Sequence, residues 1–233
     1  MSTLVVYSDT TDGYIYGVDG MDDEFDGYDG SYASARATPT GADAAAVFWA
    51  VGQVTYGSFF VIYNVYESFL SFDTSSIGGS GTVSAAVLNL TSYADNSTTD
   101  FTIEARLRDW GASLTTADWV TSLSALTLLA HRDTSSGWTP ATAYDLTDDA
   151  FAANVSKTGS TRLLLCSDHT TANTAPTGYE SVSSYSADYT GTTRDPKLTV
   201  TYAAGGGTLF LMLEDNSGSY ELEDGSGGTK LEN

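Results

Sequence analysis

Acidic side chains crowd into one glycine-containing segment, residues 19–30. Calcium takes several carboxylate and carbonyl oxygens as ligands, and glycine lets a loop wrap around the ion. The spacing does not match an EF-hand loop, and a solvated acidic loop is the alternative interpretation. The segment therefore predicts a possible structural calcium site, with four candidate ligands: Asp19, Asp22, Asp23 and Asp26.

A second set of reactive groups stands together at Cys166-Ser167-Asp168-His169. This run begins within a strand predicted at 161–167. Because neighbours on a strand point to opposite faces, the four groups are not expected to converge as a catalytic triad does. Cys166 is the single cysteine, which excludes an internal disulfide. We expect it to be a small buried apolar residue, and we predict that the protein is not an enzyme.

Aromatic side chains are a third source of chemistry, with fifteen Tyr and four Trp in the chain. Sugar-binding sandwiches stack sugar rings on exposed aromatic faces, but aromatic residues also fill the cores of β-sheet proteins. The tyrosines near polar loops are the better exposed candidates: Tyr14, Tyr16, Tyr28 and Tyr32. The tryptophans are expected to anchor the core: Trp49, Trp110, Trp119 and Trp138.

The charge is strongly acidic, because nine basic residues face 30 acidic ones for a net charge of -21. Such a field repels nucleic acid and anionic membrane surfaces, so neither is an expected partner. The N-terminal segment has neither a basic start nor a long apolar run, which predicts no secretory signal and no membrane-spanning helix. We therefore expect synthesis in a cytoplasm.

Short apolar segments with a period of two, separated by polar turns, predict strands throughout residues 1–203. The clearest alternation is at 101–108, where we expect one buried and one solvated face. Helical turns are predicted only at 115–120, with Thr116 as a possible cap, and at 148–154. The predicted fold is an all-β antiparallel β-sandwich of the jelly-roll kind, with strands near 2–7, 11–18, 46–51, 59–73, 83–91, 101–108, 125–131, 144–147, 161–167, 179–185 and 197–202.

The composition changes after Tyr202, so residues 204–233 are predicted to be a separate tail. A glycine-rich linker is followed by a nine-residue repeat, in which Leu213-Glu214-Asp215 recurs as Leu222-Glu223-Asp224 and as Leu231-Glu232-Asn233. Each unit is typical of a short strand with a Gly-Ser turn, and it cannot bury its apolar face alone. Docking is favoured, either on the sandwich or on a neighbouring subunit, with a mobile end as the alternative.

Motifs in residues 10–203 resemble the DNRLRE-type domains, which are similar to carbohydrate-binding modules. They are Ser68-Phe69-Leu70-Ser71-Phe72-Asp73 followed by Val83-Ser84-Ala85-Ala86-Val87-Leu88, the pair Trp110 and Trp119, Trp138 before Tyr144-Asp145-Leu146-Thr147, Glu180-Ser181-Val182, and the closing run from Arg194 to Tyr202. The resemblance implies a jelly roll. The Leu-Glu-Asp tail is similar to tails on phage virion structural proteins.

Two functions are therefore expected. The first is a virion structural protein of a tailed phage, such as a capsid decoration, head-fibre or tail-associated subunit, which binds other virion proteins and copies of itself, for example as a trimer. The second is a carbohydrate-binding module that attaches to a surface polysaccharide.

Overall fold

The computed structural model describes residues 1–20, 29–57 and 60–205, together with the backbone of two short strands nearer the C terminus. The strands of the main body are β1 (Ser2–Tyr7), β2 (Gly13–Asp19), β3 (Gly41–Asp43), β4 (Phe48–Tyr56), β5 (Ile62–Asp73), β6 (Thr82–Asp95), β7 (Thr102–Leu107), β8 (Leu128–Asp133), β9 (Ala143–Leu146), β10 (Ser160–Ser167), β11 (Tyr179–Tyr185) and β12 (Lys197–Ala203). Three short helices accompany them: α1 (Tyr32–Ala37), α2 (Asp149–Asn154) and α3 (Asp168–Thr171).

All described strand pairs are antiparallel, and the sheet runs in the order β1-β12-β6-β11-β4-β5-β10-β7-β8. β2 adds to β5 and carries β3, while β9 adds to β6. The sheet curls on itself, so that β12 and β6 face the strands around β5 and β10. The predicted all-β antiparallel sandwich is confirmed.

The main core lies between the two facing halves of the curled sheet. Leu88 and Leu90 of β6 pack there with Leu70 and Phe72 of β5. Trp138 is 1 % exposed, and its indole N–H donates to the Ser183 carbonyl oxygen at 3.1 Å. Burial of apolar area of this kind is the main force that holds a sandwich together.

A second apolar layer covers the outer face of β2, β5 and β10. Ile15, Phe69 and Leu164 pack there against Trp110 and the segment that follows it, and α1 covers the neighbouring part of β5. β10 is therefore buried on both faces, which agrees with its four consecutive apolar residues at 163–166. No helix among the described residues has the length and apolar content needed to cross a bilayer.

The prediction that β7 has one solvated face is wrong. Arg106 is 7 % exposed, and it donates to the Glu104 carboxylate and to the carbonyl oxygens of Leu123 and Leu126. Glu104 and Arg106 on this face are therefore covered, and their polar groups bond to each other and to backbone. The helical turn near 115–120 is a 3₁₀ turn at Thr116–Asp118, capped by Thr115 rather than by Thr116.

Two short strands in the C-terminal repeat pair as an antiparallel hairpin: β13 (Glu221–Glu223) and β14 (Thr229–Leu231). Leu222, in the second repeat, stands opposite Lys230. The main body ends earlier, because β12 ends at Ala203. The second and third repeats therefore each form a short strand, as their sequence predicts.

Candidate functional site

The acidic segment is described only at its ends. Asp19 closes β2, and one of its carboxylate oxygens accepts a hydrogen bond from the Ser31 backbone N–H at 2.7 Å. The other predicted calcium ligands, Asp22, Asp23 and Asp26, lie outside the described residues. Within the described ranges, no group of three or more His, Cys, Asp or Glu side chains is arranged so that it could hold a metal ion.

The run from Cys166 to His169 is divided between a strand end and a helix start. Cys166 is fully buried, and burial raises the pKa of its thiol to about 12. The Ser167 hydroxyl caps α3 by accepting from the Thr170 N–H at 2.9 Å. His169 turns to Glu180, with 2.9 Å between the ring nitrogen Nδ1 and the carboxylate. The groups therefore serve separate contacts and do not form a triad.

A buried polar network on the outer face of the sheet holds the short helices in place. The Gln53 amide donates to Glu180 at 2.9 Å and to the Thr174 carbonyl oxygen at 2.8 Å, while its oxygen accepts from the Tyr32 hydroxyl at 2.7 Å. Arg36 of α1 donates to three backbone carbonyl oxygens. Because these groups bond to one another, the network fixes α1 and α3 on the sheet.

The inner face of the sheet continues past the core into an open cleft lined by four tyrosines. Side chains alternate along a strand, so Tyr66 of β5 lies on the same face as the core residues Leu70 and Phe72. Tyr14 and Tyr16 of β2 lie beside it, opposite in direction to the buried Ile15. The cleft has a volume of about 440 Å³ and is lined by Tyr14, Tyr16, Val18, Ala42, Asp43, Tyr56, Asn64 and Tyr66.

The tyrosine rings of the cleft form a connected surface. The ring centroids of Tyr14 and Tyr16 are 6.0 Å apart, and those of Tyr14 and Tyr66 are 6.3 Å apart. Tyr56, on the adjacent strand β4, is 41 % exposed and stacks with the exposed Tyr179 at 6.3 Å. The surface therefore extends from β2 across β5 and β4 to β11.

Polar groups stand between these rings. The side-chain oxygen of Asn64 is buried and has no hydrogen-bond partner among the described residues. Burial raises the pKa of Tyr66, and burial together with the nearby Asp43 raises that of Tyr14. Both phenols therefore stay neutral at physiological pH and keep a donor and an acceptor.

The sequence identified only part of this cleft. Two of the candidate tyrosines, Tyr14 and Tyr16, line it and are half-buried, whereas Tyr32 is buried against Gln53 and Tyr28 lies outside the described residues. Tyr56, Tyr66 and Asn64 were missed because pairing between distant strands brings them together. Three tryptophans are buried as expected, Trp49, Trp110 and Trp138; the half-buried Trp119 bonds to the Arg36 carbonyl oxygen at 3.1 Å.

Two other open clefts have similar volumes, about 460 Å³ beside Arg36 and about 520 Å³ beside Arg162, but no aromatic side chain lines either one. The tyrosine cleft is therefore the stronger candidate. No protein-family model and no curated protein matches this sequence.

Proposed function

We propose that the protein is a non-catalytic carbohydrate-binding β-sandwich and that the tyrosine cleft holds the sugar. The observation that carries this proposal is the combination of four tyrosine rings with the unpartnered Asn64 oxygen in one open cleft. A sugar ring has an apolar face that packs on an aromatic ring and hydroxyl groups at its edge. Tyrosine offers both an apolar ring and a polar hydroxyl, and a sugar hydroxyl would supply the donor that Asn64 lacks.

The charge of the site indicates the class of glycan. Asp43 is the carboxylate among the described lining residues, and the whole chain carries a net charge of -21. A sulfated or uronic-acid glycan would be repelled by this field. Neutral or amino sugars are therefore the proposed ligands.

A glycan array followed by calorimetric titration of the hits tests the proposal. Tyr16→Ala and Tyr66→Ala should each weaken binding at least tenfold, while Tyr7→Ala, which removes an exposed tyrosine from β1, should bind as wild type. Melting curves check that each variant is folded. The proposal fails when no neutral or amino glycan binds, or when the two cleft variants bind as tightly as Tyr7→Ala.

We also propose that the protein is assembled into a virion of a tailed phage through its C-terminal repeat. The supporting observation is that the second and third repeats pair as the hairpin of β13 and β14. A hairpin of two strands is marginal by itself in water, so it favours a partner, either another copy or another virion protein. Binding of a surface glycan fits the same role, since it would attach a particle to a cell.

Light scattering after size exclusion tests the assembly proposal. The full chain should form an oligomer such as a trimer, and deletion of residues 208–233 should leave a folded monomer. A full chain that stays monomeric and does not bind to purified particles would contradict it.

A further inference from the structure

Two arginines face each other across β7 and β10, one residue beyond the end of β7. Leu107 pairs with Leu163 in the last row of β7. In the next row the Arg108 N–H donates to the Arg162 carbonyl oxygen at 3.3 Å. Opposed residues of an antiparallel pair point to the same face, where two like charges repel each other. An anion beside the two guanidinium groups would relieve this repulsion.

Arg162 already has a counter-charge within the chain. Its Nη1 donates to the Asp109 carboxylate at 2.7 Å, and its guanidinium lies 5.7 Å from the Trp110 ring centroid. The same Asp109 oxygen accepts from the Gly111 N–H at 3.2 Å. This acid is therefore bonded to Arg162 and to backbone.

Arg108 has no such partner. Within the described part of the chain its guanidinium makes no hydrogen bond, ion pair or ring contact, and its Nε is shielded from solvent without an acceptor. The carboxyls in electrostatic range are Asp109 and the fully buried Glu67. Burial raises the pKa of Glu67 to about 8, so this group is mostly neutral at physiological pH. A shielded donor without an acceptor is costly, which indicates a missing acceptor.

Both arginines line one open cleft of about 520 Å³. Asp109 is the acidic side chain among the described lining residues, so two guanidinium groups and one carboxylate leave an excess of one positive charge there. Ser156 and Ser160 add hydroxyl groups, and Leu107 and Leu126 add an apolar wall. The cleft therefore combines donors for an anion with a surface for an apolar group.

We propose that this cleft binds a small organic molecule that carries one carboxylate group, held by Arg108 and Arg162. A guanidinium group matches a carboxylate through two parallel N–H···O bonds. One negative charge balances the local excess, whereas a phosphate group carries more than one and would add to the acidic field of the chain. The volume is in the range of small-molecule sites. The proposal does not depend on the carbohydrate proposal, because none of these lining residues lines the tyrosine cleft.

Calorimetric titration of the full chain with cyclohexanecarboxylate tests the proposal, with cyclohexanecarboxamide as the neutral molecule of the same shape. The carboxylate should bind at one site with a Kd of about 1 mM or lower, and the carboxamide at least tenfold more weakly. Arg108→Gln and Arg162→Gln should each weaken binding of the carboxylate at least tenfold. Arg132→Gln removes an arginine that lies over the Tyr144 ring outside the cleft, so it should bind as wild type.

Four results would contradict the proposal. The first is no heat of binding up to about 20 mM carboxylate, well above the expected Kd. The second is a carboxamide that binds as tightly as the carboxylate, and the third is inorganic phosphate that binds more tightly. The fourth is binding that survives Arg108→Gln but is lost in Tyr66→Ala, because that places the molecule in the tyrosine cleft. Melting curves check folding; if Arg162→Gln fails to fold, Arg108→Gln gives the same readout without removing an ion pair.

Discussion

Replacing Glu67 with Gln should remove a large part of the pH dependence of stability. Glu67 is fully buried; its Oε2 accepts from the Val120 N–H at 3.0 Å, and its Oε1 has no partner. Burial raises the pKa of this carboxyl from 4.5 to about 8, against the smaller opposing effects of the Val120 N–H and of Arg36 and Arg108. Arg36 gives its hydrogen bonds to backbone carbonyl oxygens, so it does not pair with Glu67.

The sign follows from proton uptake. Between pH 4.5 and 8 the folded state holds the Glu67 proton and the unfolded state does not, so the free energy of unfolding falls as the pH rises. The contribution of the protonated Glu67 carboxyl to the free energy of unfolding is fully present below pH 4.5, and it is lost as the pH rises through 8. A shift of about 3.5 units at about 1.4 kcal/mol per unit gives a loss of up to about 5 kcal/mol.

Gln is neutral at every pH and keeps an oxygen for the Val120 N–H. Glu67→Gln should therefore match wild type within about 1 kcal/mol at pH 4.5 and exceed it by several kcal/mol at pH 8.5. Urea unfolding followed by tryptophan fluorescence at several pH values measures the free energy of unfolding of the variant and of wild type. Asp145→Asn, at an exposed acid on β9, should keep the wild-type slope. A Glu67→Gln variant that is far less stable than wild type at pH 8.5 would refute the reasoning, because it would mean that Glu67 is ionised and paired.

Three further predictions concern the cleft, the thiol and the two-sided burial of β10. A Cβ on Gly41 would lie 2.6 Å from the Tyr16 hydroxyl oxygen, so Gly41→Ala should displace that ring and weaken glycan binding while Tm changes little. The Cys166 thiol should resist a disulfide reagent in the folded protein and react fully in urea; fast reaction without urea would contradict its burial. Leu163→Ala and Leu164→Ala, on opposite faces, should each cost about 2–5 kcal/mol in urea unfolding, and a cost below about 1 kcal/mol at Leu164 would show that the outer layer does not pack.

Local patterns predicted the strands well, because turn residues and alternating apolar side chains are local signals. They failed on the face of β7 that carries Glu104 and Arg106. Charged residues at alternate positions usually face water, and nothing local shows that a distant segment covers them. α1 was missed for a related reason: it is short, and Arg36 holds it in place through carbonyl groups far away in sequence.

The candidate sites were predictable to different extents. Tyr14 and Tyr16 stood out because two tyrosines flank one residue beside a polar loop. Asn64 could not be identified, since its unpaired oxygen depends on how β4 and β2 meet β5.

The positions of the perturbed carboxyls bear on the choice between binding and catalysis. Acid catalysis on a sugar needs a carboxyl with a raised pKa that faces the substrate, and glycosidases use two carboxyls across a cleft. Here the pKa is raised most at Glu67, under the outer layer, and at Asp12, against the segment 186–196. Neither lines the tyrosine cleft, where Asp43 is the carboxylate among the described lining residues. The carboxyls with raised pKa values therefore lie apart from the cleft in which we propose that a sugar binds.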